Sequence, residues 1–370
     1  KIAIEDVSIY AIWRGDIFIN GVQQSKVLFR RSSYGGNSWR KTRNLSNEWA
    51  GNDVAVRKEL RSPDSVDLTT FDGNIYAVWS QPRHLGPQTG NYEIYGVRST
   101  NFGEKFERME SIAPDFTISN TKNGDSICPT IAAHGNFVYV AWLDNQTSGG
   151  GTGPFQIWYT HCDDGGKAFK TPNTIEDLTS AAIDFGRTEM DCPQLVVTGS
   201  TVIIGWVNFI SGQARVSYLR SNNSGVVAMP ADGDFGAILN IDTSSDARKE
   251  NLTLAAEGNL VVAAWQESEG NEPFQVRVFR SLDRGFTFPN EDEGTLPDTN
   301  IQKFPSLHIW DGSVWLALTE EIDNQFDVVL LRSEDSAFSF MEVENVSNNN
   351  SISIHPAIVA RNGMVHVLWM

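Results

Sequence analysis

One phrase of apolar residues closing on tryptophan recurs down the chain. Its copies are Ile9 to Trp13, Asn74 to Trp79, Phe137 to Trp142, Val202 to Trp206, Val261 to Trp265, Val314 to Leu318 and Val365 to Trp369, with leucine closing the sixth. A second phrase, apolar at alternate positions, sits between them at Val27 to Arg31, Glu93 to Arg98, Gln156 to Thr160, Arg215 to Arg220, Gln275 to Arg280 and Asp327 to Arg332. A period of two with β-branched and aromatic residues predicts strands. Self-similarity at a fixed spacing predicts a repeat fold rather than two unrelated domains.

Each second strand runs into the same polar turn. Ser281-Leu-Asp283-Arg-Gly285-Phe-Thr-Phe288 carries its full form. Ser32 to Trp39 has Tyr34 in place of the Asp, and Ser99 to Phe106 and Ser221 to Ala228 have Asn101 and Asn223 there. Cys162 to Phe169 lacks the Ser, and Ser333 to Phe340 lacks the Gly. In such a turn Asp or Asn caps local amides, Gly takes positive φ and the last aromatic buries against its sheet. Asp164, Asp283 and Asp335, with Gly36, Gly103, Gly166, Gly225 and Gly285, are the candidates for these structural roles. The pattern resembles the Asp box (BNR repeat) of sialidase-like β-propellers. The resemblance covers nearly the whole chain and implies fold, not activity.

A full module reads as strand A, opened by Pro63, Pro129, Pro193, Pro305 or Pro356, then strand B ending in Trp, strand C, the turn and strand D. Four antiparallel strands per module make a propeller blade. The expected fold is an all-β propeller, one domain over residues 1–370, with blades near 1–52, 53–115, 116–180, 181–240, 241–295 and 296–350 and a partial blade at 351–370. Seven blades are favoured, the last incomplete within these residues; six sialidase-like blades with an irregular extension are the alternative.

Composition supplies the setting. With 40% hydrophobic and 20% charged residues, 31 Gly and 11 Trp, this is a folded chain. A net charge of −17 denies nucleic acid the positive surface it needs, so no such partner is expected. No apolar run approaches the roughly 18 residues that a membrane-spanning helix requires. Strand-like sequence begins almost at Lys1, as in a processed or trimmed product. Six sequons, at Asn44, Asn145, Asn222, Asn251, Asn345 and Asn349, would accept N-glycans in an exported protein, and the expected location is extracellular or at the cell surface. Of three cysteines, Cys128 and Cys192 share one repeat position, each just before a proline, while Cys162 opens a turn. A bridge, a shared ligand set and two small buried residues all suit Cys128 and Cys192.

In an antiparallel meander alternate connections lie on opposite faces, so the Asp-box turns share one face with the A–B turns, and the D–A and B–C loops share the other. Only the second varies in length: from the strand-B tryptophan to the next turn is 19 or 20 residues in the first three blades, against 15 or 16 later. Lengthened loops on a rigid scaffold carry function. The D–A loops bring Glu59, Arg61, Asp125, Glu189, Asp191, Lys249, Glu250, Lys303 and His355 beside the expected central channel, and the B–C loops add Asp16, Asp144, Glu267, Glu269, Glu320 and Glu321. Such a ring would grip a sugar or peptide by charge-assisted hydrogen bonds, or hold a divalent cation such as calcium, with a solvated acidic rim as the plain alternative. No other cofactor is expected.

Resemblance to sialidases implies an arginine triad, a Tyr nucleophile with its Glu, and an Asp acid/base. All eight tyrosines fall on repeat positions, none follows Tyr218, and Arg61-Ser-Pro63 is a distant echo of the family's early arginine motif. Gly149 to Gly153 follows a strand without opening a helix, and Arg14-Gly-Asp16 is a loop tripeptide. No metalloprotease, serine-hydrolase or P-loop motif occurs. The carboxylates leave another kind of glycosidase open. The expected function is a non-catalytic module binding a glycan or an extracellular protein. A glycoside hydrolase is one alternative, and a structural subunit self-assembling through its C-terminal strand edge is the other.

Overall fold

The computed structural model describes residues 1–19, 22–46, 66–82, 91–111, 118–119, 124–146, 152–174, 192–210, 213–224, 235–242, 247–289, 293–297 and 301–370. Its elements are β-strands in successive antiparallel sheets, a β-propeller. Two compact units divide the chain, Lys1–Ala181 and Ala182–Met370.

In the first unit, blade one has strands A to D at Ile2–Glu5, Ser8–Ile19, Val22–Ser32 and Arg43–Asn44. Blade two has Val66–Phe71, Asn74–Pro82, Tyr92–Ser99 and Glu107–Ser111, and blade three has Ser126–His134, Phe137–Gln146, Thr152–Cys162 and Asn173–Thr174. A short strand closing the third turn, Ala168–Phe169, adds in parallel to strand D of blade two. In the second unit, blade four has Gln194–Thr198, Thr201–Ile210, Gln213–Ser221 and Leu239–Asn240. Among the described residues blade five has three strands, Arg248–Glu257, Leu260–Ser268 and Gln275–Ser281, and blade six has Gln302–Trp310, Ser313–Ile322, Gln325–Ser333 and Met341–Asn345. Among the described residues a seventh sheet holds Ala357–Arg361 and Met364–Leu368. Six blades plus this pair fit the six-bladed alternative, and the favoured seventh blade is half-formed.

Strand register follows the repeat. The residue opening each turn faces the second residue of strand B: Ile9 and Ser32, Ile75 and Ser99, Val138 and Cys162, Val202 and Ser221, Val261 and Ser281, Val314 and Ser333. A–B hairpins close through Asp72-Gly73, Asp311-Gly312 and Asn362-Gly363, with positive φ at both residues as two-residue hairpin turns require. Trp79, Trp142, Trp206 and Trp265 are wholly buried. The apolar clusters lie between neighbouring blades, for example Ile203, Tyr218, Leu254 and Trp265 between blades four and five.

In the fifth turn Ser281 Oγ donates to Asp283 Oδ1 at 2.6 Å and accepts from Gly285 N at 2.8 Å, while Thr287 N donates to Asp283 Oδ1 at 2.9 Å. Where serine is missing, Cys162 Sγ accepts from Gly166 N at 3.0 Å. Where glycine is missing, Ala337 holds φ +68° and is buried. The arginine before the opening serine reaches the next blade's turn. Arg31 donates to Phe102 O, Arg98 Nη1 to Gly165 O at 2.7 Å, Arg220 Nε to Arg284 O at 2.7 Å and Arg280 Nη1 to Asp335 O at 2.9 Å.

Candidate functional site

Strand A of blade five carries a bulge in which Asn251 and Leu252 face the single Trp265. Blade six repeats it with Phe304 and Pro305 opposite Leu318, and blade three with Cys128 and Pro129 opposite Trp142. The first bulged residue is left-handed each time: Asn251 at φ +56°, Phe304 at +52° and Cys128 at +56°. His355, before Pro356, has φ +54°. This conformation costs a non-glycine residue on the order of 1 kcal/mol or more and gathers at functional sites, where bulges re-aim side chains. Proline cannot donate to the ladder, which is why it suits the position beside the bulged residue.

In the second unit the bulged strands gather cations and aromatic rings. Lys303 Nζ lies 5.7 Å from the centre of the Phe274 ring and 5.1 Å from that of Phe326, and Arg248 Cζ lies 5.4 Å over Phe274. Arg248 pairs with Glu250, which accepts from Gln266 Nε2 at 3.1 Å; Gln266 Oε1 in turn accepts from Phe304 N at 3.0 Å. The Phe304 and His355 rings are 3.9 Å apart, centre to centre. Arg248 is exposed, and Glu250, Lys303, Phe274, Phe304, Phe326 and His355 are half-buried. Two cations beside accessible ring faces can hold an anionic group against an apolar surface.

Lys249 points the other way. It is fully buried, 3.1 Å from Asp242 and 3.2 Å from Glu267, and Glu267 also accepts from Trp265 Nε1 at 3.0 Å. The position two residues after the strand-B tryptophan serves that indole in other blades. Gln81 accepts from Trp79 Nε1 at 2.7 Å, and Asp144 from Trp142 Nε1 at 3.3 Å. Asp144 accepts further from Ser126 Oγ at 2.6 Å and Gln146 N at 2.8 Å, and burial pushes its carboxyl up to about 6. The neighbouring Asp125 is half-buried and accepts from Tyr92 N at 2.9 Å. Glu320, after Leu318, is buried opposite Gln302.

Arg61, Glu189, Asp191 and Gly225 lie outside the described residues. Of the sequons, Asn222 and Asn349 are exposed and Asn44, Asn145, Asn251 and Asn345 are half-buried. Cys128 and Cys192 are disulfide-bonded, and Cys162 is a free, buried thiol. Among the described residues no group of three or more His, Cys, Asp or Glu is placed to hold a metal, and no helix is long and apolar enough to cross a membrane. Sequence reasoning missed Arg248, Gln266, Phe274 and Phe326. The available signal was an aromatic residue at the entry to strand C in blades five and six.

No protein-family model matches the sequence, and no curated protein matches it. Solved structures match in fold. An ulvan lyase, described as a new family of polysaccharide lyase, aligns with a TM-score of 0.56 at 13% identity over 93% of this chain and 81% of its own. An α-L-arabinofuranosidase from Fusarium graminearum aligns at 0.52 and 11% identity over 85% of this chain and 90% of its own. A Hadza microbial sialidase aligns at 0.50 and 13% identity over 82% of this chain and 62% of its own. What the chain shares with these proteins is the β-propeller fold.

Proposed function

We propose that this chain is an exported, non-catalytic propeller that binds an anionic glycan at the heads of strand A in blades five and six. The convergence of Arg248 and Lys303 on one ring, Phe274, beside two bulged strands carries the reading. A sugar carboxylate or sulfate would take charge-assisted hydrogen bonds from both cations while the sugar face packs on Phe274 and Phe326. Glu250, Asp242 and Glu267 already hold cations or amides, which supports binding over hydrolysis, since hydrolysis needs two carboxyl groups turned to the sugar. The lyase alike in fold has been solved bound to -[GlcA(1-4)Rha3S]-, which supports a carbohydrate ligand. Disulfide-bonded Cys128 and Cys192 support export, and the serine-to-aspartate bond supports naming the turn an Asp box.

Calorimetric titration with uronate-bearing oligosaccharides and matched neutral ones tests this. Binding is expected for the anionic set only, weakened about tenfold by Lys303→Gln or Phe274→Ala at an unchanged melting temperature. Equal affinity for the neutral set would remove the charge argument. Release of new reducing ends or unsaturated uronates from the same glycans would replace binding with catalysis.

A further inference from the structure

The turn of blade two seats on blade one: Gly103 lies where an added Cβ would come 3.1 Å from Phe29, and Phe106 meets that ring edge-on at 5.0 Å. The turn of blade five seats likewise, with Gly285 on Ile203 of blade four. Beside the first of these seats opens a cavity of about 240 Å³, lined by Phe29, Arg31, Arg40, Lys41, Arg43 and Glu104. Four cations and one carboxylate thus line one space, in a chain whose net charge is −17.

This charge departs from the repeat. Between Asp16 and Glu48 the sequence has six Lys or Arg and no Asp or Glu. The residue after the closing aromatic of the turn is Glu107 in blade two, where it accepts from Arg98 Nη2 at 3.2 Å. Blade three has Lys170 there, 3.4 Å from Asp163. Blade one has Arg40, so Arg31, the equivalent of Arg98, shares its cavity with a second cation instead of a carboxylate of its own blade. The walls are held in place by the protein itself. Arg40 N donates to Arg31 O at 2.8 Å. Arg43 Nη1 donates to Glu104 O at 2.7 Å and to Gly103 O at 3.1 Å, with its Cζ 5.2 Å over the Phe106 ring. Arg31 is buried and bonds Phe102 O and the Glu104 carboxylate. Arg40 and Lys41 are exposed and make no ion pair among the described residues. Like charges sharing a cavity repel, and an anion that accepts from them removes the repulsion.

We infer that this cavity is a binding site for a tetrahedral oxyanion, a sulfate or a phosphate group. Its oxygens take charge-assisted hydrogen bonds from Arg40 and Lys41, with the positive walls of Arg31 and Arg43 behind them. Cations brought by strand C, by strand D and by the link between them suit a group whose oxygens point in several directions. A planar carboxylate occupies one side of one guanidinium, as Glu104 does on Arg31. Because the Arg43 guanidinium and the Arg40 backbone are held before the anion arrives, binding adds little ordering cost. These residues belong to the first unit, whereas Lys303 and Phe274 belong to the second.

Calorimetric titration of the full chain with sodium sulfate, sodium phosphate and glucose 6-sulfate, in a dilute buffer free of both ions, tests this. One-to-one binding is expected, weakened about tenfold by Arg40→Gln or Lys41→Gln. It should be unchanged by Lys303→Gln and by Lys167→Gln, a charge-matched change at an exposed lysine of blade three. Arg40→Glu, which gives Arg31 the carboxylate that Arg98 has, should abolish binding at an unchanged or higher melting temperature. Tighter binding of the sugar ester assigns the site to an esterified group and equal binding assigns it to the free ion, and either result supports the site. No saturable binding, an equal loss with Lys167→Gln, or glucuronate binding as tightly as glucose 6-sulfate overturns the proposal.

Discussion

Asp144 has no exposed surface, and burial pushes its carboxyl up to about 6, above its ordinary value of 3.8. Its folded state prefers the proton, so its contribution to stability is full below about 3.8 and is lost as pH rises through about 6. His308, shielded from water and bonded to the Ala360 backbone, is pushed down to about 4 from 6.5. Its contribution is full above about 6.5 and is lost as pH falls through about 4. Each amounts to about 3 kcal/mol, and the two oppose each other in the same window. Asp144→Asn, matching Asn208 beside Trp206, should therefore make urea stability fall more steeply from pH 6.5 to 4, and His308→Gln should reverse the slope. Unchanged slopes in both variants would mean that neither group titrates in that range. The residue scale was partly legible: Cys162 reads as the missing serine by position, but only its bond to Gly166 shows that sulfur does the same work.

A repeated turn is an element whose bonds fall within eight residues, and for that reason its sequence pattern announced it. Gly285 combines φ +75° with a Cβ position 2.6 Å from Ile203 Cδ1, whereas Gly199, at φ +58°, has nothing within 4 Å. Gly285→Ala should cost about 2–3 kcal/mol, from backbone strain plus overpacking, and Gly199→Ala about 1 kcal/mol, from strain alone. Chemical unfolding of both variants checks the pair, and equal losses would mean the seat on the preceding blade carries no packing. The arginine before each turn was not legible as a link between blades. Arg98 and Gly165 are 67 residues apart, and nothing local to Arg98 points to its acceptor.

For the molecule as a whole, the disulfide-bonded cysteines set one expectation. Cys128→Ser should lower stability by about 2–4 kcal/mol and its melting temperature accordingly, while Cys162→Ser leaves both near the parent values. Reducing agent should reproduce the first effect and leave the second unchanged. The fold was legible because six copies of one module repeat the same strands. The candidate site was half legible: the heads of strand A marked Lys303, Glu250 and His355, but Phe274 and Phe326 join them only through the packing of neighbouring blades. The bulges explain the other half. Around the head of strand A in blade five the buried positions are odd before the bulge, Ala247 and Lys249, and even directly after it, Leu252 and Leu254. Blade six switches the opposite way, from Gln302 to Pro305, Leu307 and Ile309. Each strand thus changes parity once because of its one extra residue, so deleting Asn251 would keep Lys249 inside and Arg248 and Glu250 outside on an unbroken ladder, whereas drawing Asn251 into regular pairing with no residue removed would turn Lys249 out and bring Arg248 and Glu250 in under the sheet, exchanging the site for its own foundation.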